Sequence, residues 1–140
     1  MAWQDANSTE QNAEFFVREK HARDVAELDT YRNIREAVTR ELAGTEVLLD
    51  VGNGGVLDYD PGQVGLIVAV DLFLDQLPTS HFPPNVTPRR GDALDLDEED
   101  RSYDVVLEAL LYHHLIARAV AEAERVLRPG GRLVVAESGG

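Results

Sequence analysis

Apolar residues recur along this chain in two rhythms. Downstream of Thr30 they fall at Ile34, Val38 and Leu42, a four-residue spacing that lines one face of a helix, and Gly44 is placed to stop it. Further upstream, Ser8-Thr9-Glu10-Gln11 has the form of a capping box and predicts an earlier helix running through Phe15, Phe16, Val17, Val25 and Leu28. After Glu46 the rhythm changes to short continuous apolar runs at residues 47–51, 66–70, 105–107 and 133–136, with a weaker one at 86–90. Such runs predict strands buried on both faces, as in a parallel sheet covered by helices. An alanine-rich helical stretch, 112–127, lies between the last two and is closed by the turn Arg128-Pro129-Gly130-Gly131. The alternation implies an α/β doubly wound sheet of about five strands with helices on both faces. Residues 1–44 read as a helical segment of the same domain and 45–140 as its core.

Two strand ends carry the chemistry. The run Leu48-Leu49-Asp50-Val51-Gly52-Asn53-Gly54-Gly55 is an apolar strand ending in an acid and then in glycines, which let backbone approach a ligand that a Cβ would hold off. Val68-Ala69-Val70-Asp71 ends a second strand in a carboxylate suited to accept from two neighbouring ribose hydroxyls. Together they read as a cradle for a nucleotide-type cofactor.

Composition narrows the partners. A chain of 140 residues with 26 acidic against 13 basic side chains has a net charge of −13, which repels phosphate backbones and anionic membrane surfaces. Nucleic acid and membrane are therefore not expected as partners. Cysteine is absent, which excludes disulfides and thiolate metal sites. No basic leader with an apolar stretch opens the sequence, and a cytoplasmic location is the expectation.

Five elements, in order and spacing, resemble the class I S-adenosylmethionine-dependent methyltransferases: Asp50-x-Gly52-x-Gly54, Asp71, Gly91-Asp92-Ala93, Tyr103-Asp104-Val105-Val106-Leu107 and Leu127-Arg128-Pro129-Gly130-Gly131. The resemblance runs from about Thr45 to Glu137 and implies a Rossmann-like fold with S-adenosyl-L-methionine as cofactor. It implies that Asp50, Gly52 and Gly54 face the methionine portion, that Asp71 holds the ribose diol and that Leu72 lies against the adenine. It further implies that Asp92 accepts from the adenine amino group and that the Ala93 backbone meets the ring nitrogen. A nicotinamide dinucleotide fingerprint starting at Gly52 would need glycine at position 57, which is Leu57. Asp58-Tyr59-Asp60-Pro61-Gly62 also hardly permits the helix that a pyrophosphate would use.

Two features depart from the family pattern. Val56 stands where a third loop glycine is common, which shifts the expected backbone approach there. The sequence also closes on Ser138-Gly139-Gly140 directly after the fifth predicted strand, where the family fold continues with a helix and an antiparallel strand pair. The C-terminal strand pair of the family is thus missing, and an apolar edge at 133–136 calls for cover. A longer polypeptide, a homodimer or partner chain along that edge, or a reduced relative that has lost catalysis would each account for it.

Methyl transfer is an in-line displacement that needs alignment, exclusion of water and, for an oxygen acceptor, a general base. His113 and His114 follow the fourth strand at the rim where ligands collect, and are the candidate catalytic residues; the plainer alternative is that they cap or pack the helix start. Adjacent positions do not face one way on a helix, so the pair does not predict a metal site. Glu108 is a candidate for the cofactor's amino group or simply a solvated strand end, and Tyr59 and Tyr112 either border an acceptor pocket or pack. The acidic run Asp95-Leu96-Asp97-Glu98-Glu99-Asp100 reads as a solvated loop, and Trp3 as a terminus or a lid. The expected function is an S-adenosylmethionine-dependent methyltransferase acting on a small organic acceptor, a hydroxyl of a metabolite or sugar. The alternative is a catalytically incomplete auxiliary protein of the same fold that binds or completes a partner enzyme.

Overall fold

A computed structural model of the chain describes residues 28–109 and 113–136. The predicted helix beginning at Ser8, together with Trp3 and Tyr112, lies outside the described residues. Helix α1 spans Leu28–Leu42 and is followed by β1 (Val47–Val51), β2 (Leu66–Asp71), β3 (Val86–Arg90), β4 (Tyr103–Ala109), α2 (His113–Val126) and β5 (Leu127–Ala136). The five strands form one sheet in the order β3-β2-β1-β4-β5, and every neighbouring pair is parallel.

Alternation along the strands builds two cores. Leu48, Ile67, Ala69, Val105 and Leu107 join Val38 and Leu42 of α1 on one face. Leu49, Val51, Val70 and Val106 join Ala123 and Val126 of α2 on the other. Among the described residues, the doubly wound arrangement has one helix on each face. Gly44, at φ 83°, ends α1 in the left-handed conformation that glycine adopts without strain.

The connections from β1 to β2 and from β2 to β3 hold only single 3-10 turns, Pro61–Gln63 and Leu74–Gln76. Pro61 and Gly62 account for the first: Asp60 Oδ1 accepts from Gly62 N at 2.9 Å, and a proline with a glycine behind it starts a turn and does not extend a helix. In place of a helix, α1 holds this loop directly. Arg35 donates to the Tyr59 carbonyl at 3.0 Å, and Asp60 N donates to Thr39 Oγ1 at 2.9 Å.

Two sequence expectations are refined. The Arg128-Pro129-Gly130-Gly131 turn falls inside β5 as a break in register opposite Tyr103 and Val105, with Gly130 at φ 81°. The acidic run is not simply solvated. Leu96 is buried, and Arg125 of α2 donates to the Leu96 carbonyl at 2.9 Å, to the Glu98 carbonyl at 2.8 Å and to Asp100 Oδ1 at 2.7 Å. One guanidinium, with donors fixed in a plane, anchors the run against the helix.

Candidate functional site

Parallel strands gather their carboxyl ends along one rim, and the register decides which residues share it. Val51 pairs with Val70 on β2 and with Glu108 on β4, while Asp71 pairs with Arg90 on β3. The segments leaving those positions are therefore neighbours: 52–55 after β1, Leu72 after β2, 91–93 after β3 and, beyond β4, the start of α2 with His113 and His114 as its first two residues. Asp50, Gly52, Gly54, Asp71, Leu72, Asp92, Ala93 and Glu108 lie on this rim or on the strand ends that reach it, and His113 and His114 open the helix that follows β4.

Three glycines shape the loop after β1, with φ of 78° at Gly52, 68° at Gly54 and 84° at Gly55. Gly52 N donates to the Val70 carbonyl at 2.9 Å, carrying the ladder past the end of β1. Gly55 N donates to Oδ1 of the buried Asn53 at 2.7 Å, which closes a side-chain turn. A Cβ on Gly55 would stand 2.9 Å from Pro78 Cδ and 3.2 Å from Leu77 Cβ. The third glycine that the loop requires is therefore Gly55, one position before Val56. Its place in the run Gly54-Gly55 was the available signal; the crowding by Pro78 comes from a segment remote in sequence.

Asp71 is buried and ties the rim together. Its Oδ2 accepts from Gly54 N at 3.0 Å and its Oδ1 from Phe73 N at 2.9 Å. Next to it Leu72 is 45% exposed, a large apolar side chain held out at the rim. Asp92 is exposed and its Oδ1 accepts from Leu94 N at 2.9 Å, while Ala93 is half-buried against the α2-side core.

Asp50 belongs to the α1 side. Tyr59, itself fully buried, donates its hydroxyl to Asp50 Oδ2 at 2.7 Å. Burial foremost, and then the Asp50 charge, pushes the Tyr59 phenol far above its ordinary range, so it remains a neutral donor. Of the two readings of Tyr59, packing is the one the structure supports, and its bond to Asp50 is a supporting contact that the sequence did not reveal.

Glu108 is 1% exposed, and its Oε1 has no hydrogen-bond partner among the described residues. Burial pushes its carboxyl up to about 7. A carboxyl buried to 1% exposure, with its Oε1 unpartnered among the described residues and Val51 and Val135 as its register neighbours, is not a solvated strand end.

A surface crevice of about 510 Å³ lined by Asp100, Arg101, Glu124 and Arg128 lies at the amino ends of β4 and β5, across the sheet from this rim. Among the described residues there is no cluster of three or more metal-ligating side chains, and no helix long and apolar enough to cross a membrane.

A family model described as a methyltransferase domain matches residues 49–135. Phthiotriol/phenolphthiotriol dimycocerosates methyltransferase 1 of Mycobacterium ulcerans is 36% identical over 108 residues, covering 71% of this chain and 40% of its own length. An uncharacterized protein, YafE of Escherichia coli, is 36% identical over 80 residues, covering 51% of this chain and 39% of its own. The chain thus spans about two-fifths of these curated relatives. Among solved structures, a SAM-dependent methyltransferase of Thermotoga maritima superposes with a TM-score of 0.67 at 23% identity, covering 87% of this chain and 58% of that one. A chain from the Haloferax volcanii complex that contains the Trm112 methyltransferase activator gives 0.64 at 18% identity, covering 87% and 59%. At these identities the likeness to both solved structures is one of fold.

Proposed function

Because the chain belongs to the methyltransferase domain family, we propose that its carboxyl-end rim binds S-adenosylmethionine and serves methyl transfer to a small organic acceptor, a hydroxyl of a metabolite or sugar. The residues present fit that cofactor. Asp71 is a buried carboxylate whose oxygens accept more than one bond each, suited to a ribose diol beside the two backbone donors it already holds. Leu72 offers an apolar face for the adenine, and Asp92 with the Ala93 backbone offers polar partners at its edge. Gly52 and Gly54 leave the loop backbone open to close approach. Asp50, held by Tyr59, supports that loop from behind.

The observation that carries this reading is the placing of two buried carboxylates at the carboxyl-end rim: Asp71 as the last residue of β2, and Glu108, level with Val51 and Val70 and so one register step below Asp71, with a buried Oε1 that lacks a partner among the described residues. When bound, the cofactor supplies a methyl group activated by its sulfonium. The protein's part is to align the acceptor and exclude water, with His113 or His114 proposed as the group that takes the acceptor's proton. Acidity supports a small acceptor over nucleic acid, and the Mycobacterium ulcerans relative is named for phthiotriol and phenolphthiotriol dimycocerosates. Calorimetry with S-adenosylmethionine and S-adenosylhomocysteine tests the reading. Binding of nicotinamide dinucleotide in preference to both would overturn it.

A second reading, an auxiliary protein that completes a partner, is favoured by the contrast between the two sheet edges. Edge strand β3 carries exposed Pro88, Arg89 and Arg90, a combination that discourages further pairing. Edge strand β5 ends in Leu133-Val134-Val135-Ala136 with Val135 39% exposed and neither proline nor charge among these four. A second copy of the chain or a partner strand along β5 would satisfy that edge, and the Haloferax volcanii structure is itself a complex with an activator.

A further inference from the structure

Between β3 and β4 the chain returns from the carboxyl-end rim to the amino end of the sheet over residues 91–102, and no helix forms on the way. Leu96 is buried along this crossover, whereas Asp95, Asp97, Glu99 and Asp100 are exposed, so apolar burial alone holds little of it. Glu98 differs from the acids around it. Its side chain is 6% exposed; Arg89 Nη1 donates to its Oε1 at 2.7 Å and to its Oε2 at 2.6 Å, and the Tyr103 hydroxyl donates to Oε1 at 2.5 Å. Burial foremost, and then the bond to Glu98, holds the Tyr103 phenol above its ordinary range, so it stays a donor. One carboxylate thus ties the crossover to β3 through Arg89 and to β4 through Tyr103. Its enclosure and its two donors set it apart from the exposed pair of Arg90 with Asp75.

That tie closes a loop around the turn at 91–95. Arg89 lies just ahead of Gly91 and level with Val70, and Gly91 packs so closely on Val70 that a Cβ would stand 2.6 Å from Val70 Cγ1. Inside the loop, Asp92 Oδ1 accepts from Leu94 N at 2.9 Å and the Asp92 carbonyl accepts from Asp95 N at 3.0 Å. One carboxylate oxygen is given to the turn, which leaves Oδ2 for an outside donor. The turn is therefore fixed at its start by the packing of Gly91 and beyond its end by Glu98 on Arg89. Resting on the cofactor reading above, we infer that Glu98 is a positioning residue for nucleobase recognition: by joining Arg89 to Tyr103 it fixes the Asp92 turn against the purine edge, and so selects a 6-amino over a 6-oxo purine. A carboxylate on a loose loop would follow a displaced amino group or swing away from a carbonyl oxygen. Held in place, it accepts from the first and opposes the second.

The test is calorimetry of the whole chain with S-adenosylhomocysteine and S-inosylhomocysteine, which differ at the purine 6-position and in the proton on N1. The wild type is expected to favour the adenosyl ligand about ten- to hundredfold. Arg89→Met and Glu98→Gln should each weaken that ligand about tenfold and leave the inosyl ligand nearly unchanged, bringing the ratio toward one. Arg89→Lys keeps the charge without the fork and should fall between. Arg128→Met breaks the pair with Asp104 at the amino end of β4 and should leave the ratio as in the wild type, whatever it does to the melting temperature. In the free protein, amide exchange at Leu94 and Asp95 should quicken in Arg89→Met more than at Gly54, whose N–H is bonded to Asp71. The inference is overturned if Arg89→Met keeps the wild-type ratio, if both ligands weaken alike, or if Arg128→Met lowers the ratio as far. Equal binding of the two ligands by the wild type overturns it too. Should the other variants not fold, Tyr103→Phe decides: it keeps the ring, loses one donor, and should lower the ratio about threefold, an unchanged ratio counting against the inference. Failure of the wild type to bind either ligand would sink the cofactor reading itself and this inference with it.

Discussion

Tyr59 donates its hydroxyl to Asp50 Oδ2 at 2.7 Å, and neither residue is more than 1% exposed. That bond links the end of β1 to a loop that stands where a helix would ordinarily follow. The loop is held from the other side by Arg35 and Thr39 of α1, so the glycine turn between them is braced at both ends without a helix of its own.

Tyr59→Phe should therefore cost more than a surface hydroxyl would. It keeps the ring and removes the donor to a buried carboxylate, a loss of about 1.5–3 kcal/mol. Urea denaturation at pH 7 is expected to show the midpoint falling with little change in slope. An unchanged midpoint would mean that Asp50 is satisfied without Tyr59.

How much was legible in advance follows from the range over which each feature is determined. The strands were readable because residues buried on both faces form continuous apolar runs, as at Leu48-Leu49 and Val105-Val106-Leu107. Asp71 was readable because an acid closing such a run has few structural reasons to be there. The absence of a helix after β1 was foreshadowed by Pro61 and Gly62. The Tyr59–Asp50 bond, the hold of Arg125 on residues 96–100 and the enclosure of Glu108 were not legible, because each depends on segments that meet only in the folded sheet.

Asp71 has two duties that substitution can separate. Asp71→Ala removes both the carboxylate proposed for the ribose and the acceptor for Gly54 N and Phe73 N, and should weaken S-adenosylmethionine about ten- to hundredfold while lowering stability. Asp71→Asn keeps the shape and one carbonyl acceptor, so it should lose affinity with a smaller loss of stability. Calorimetry and thermal melts on the same samples check both. Equal affinity in all three proteins would remove Asp71 from the site.

Two glycines separate the loop's role in binding from that of the scaffold. Gly54→Ala forces a side chain into φ 68°, at roughly 1–2 kcal/mol, and should reduce cofactor affinity. Gly65, before β2 at the opposite end of the sheet, has no such φ, but a Cβ there would lie 2.5 Å from the Glu46 carbonyl oxygen. Gly65→Ala should destabilise by roughly 1–3 kcal/mol and leave the affinity of the folded protein unaltered. Loss of affinity in the Gly65 variant at temperatures where it is folded would contradict the placement of the site.

The β5 edge makes a prediction about association. Light scattering of the 140-residue chain over a dilution series is expected to show self-association that falls on dilution, because an apolar edge strand invites pairing. Val135→Lys should reduce it by placing a charge on the half-exposed face of that strand. A monomer at every concentration would remove the second-copy reading.

The pH dependence of stability provides a separate reading of Glu108. Burial raises its carboxyl in the folded protein from 4.5 to about 7, so the folded state holds this proton more tightly than the unfolded one. The stability gained from that difference is complete below about pH 4.5 and fades as the pH climbs through about 7, above which the fold carries a buried ionised carboxylate. Glu108→Gln, neutral at every pH, should melt near the wild type at pH 5 and above it at pH 8. A shift of this size corresponds to a gain on the order of 1–3 kcal/mol at pH 8, a rise of several degrees in a domain of this size. A wild-type melting curve that runs parallel to that of the variant from pH 5 to pH 8 would show that Glu108 does not titrate in this range.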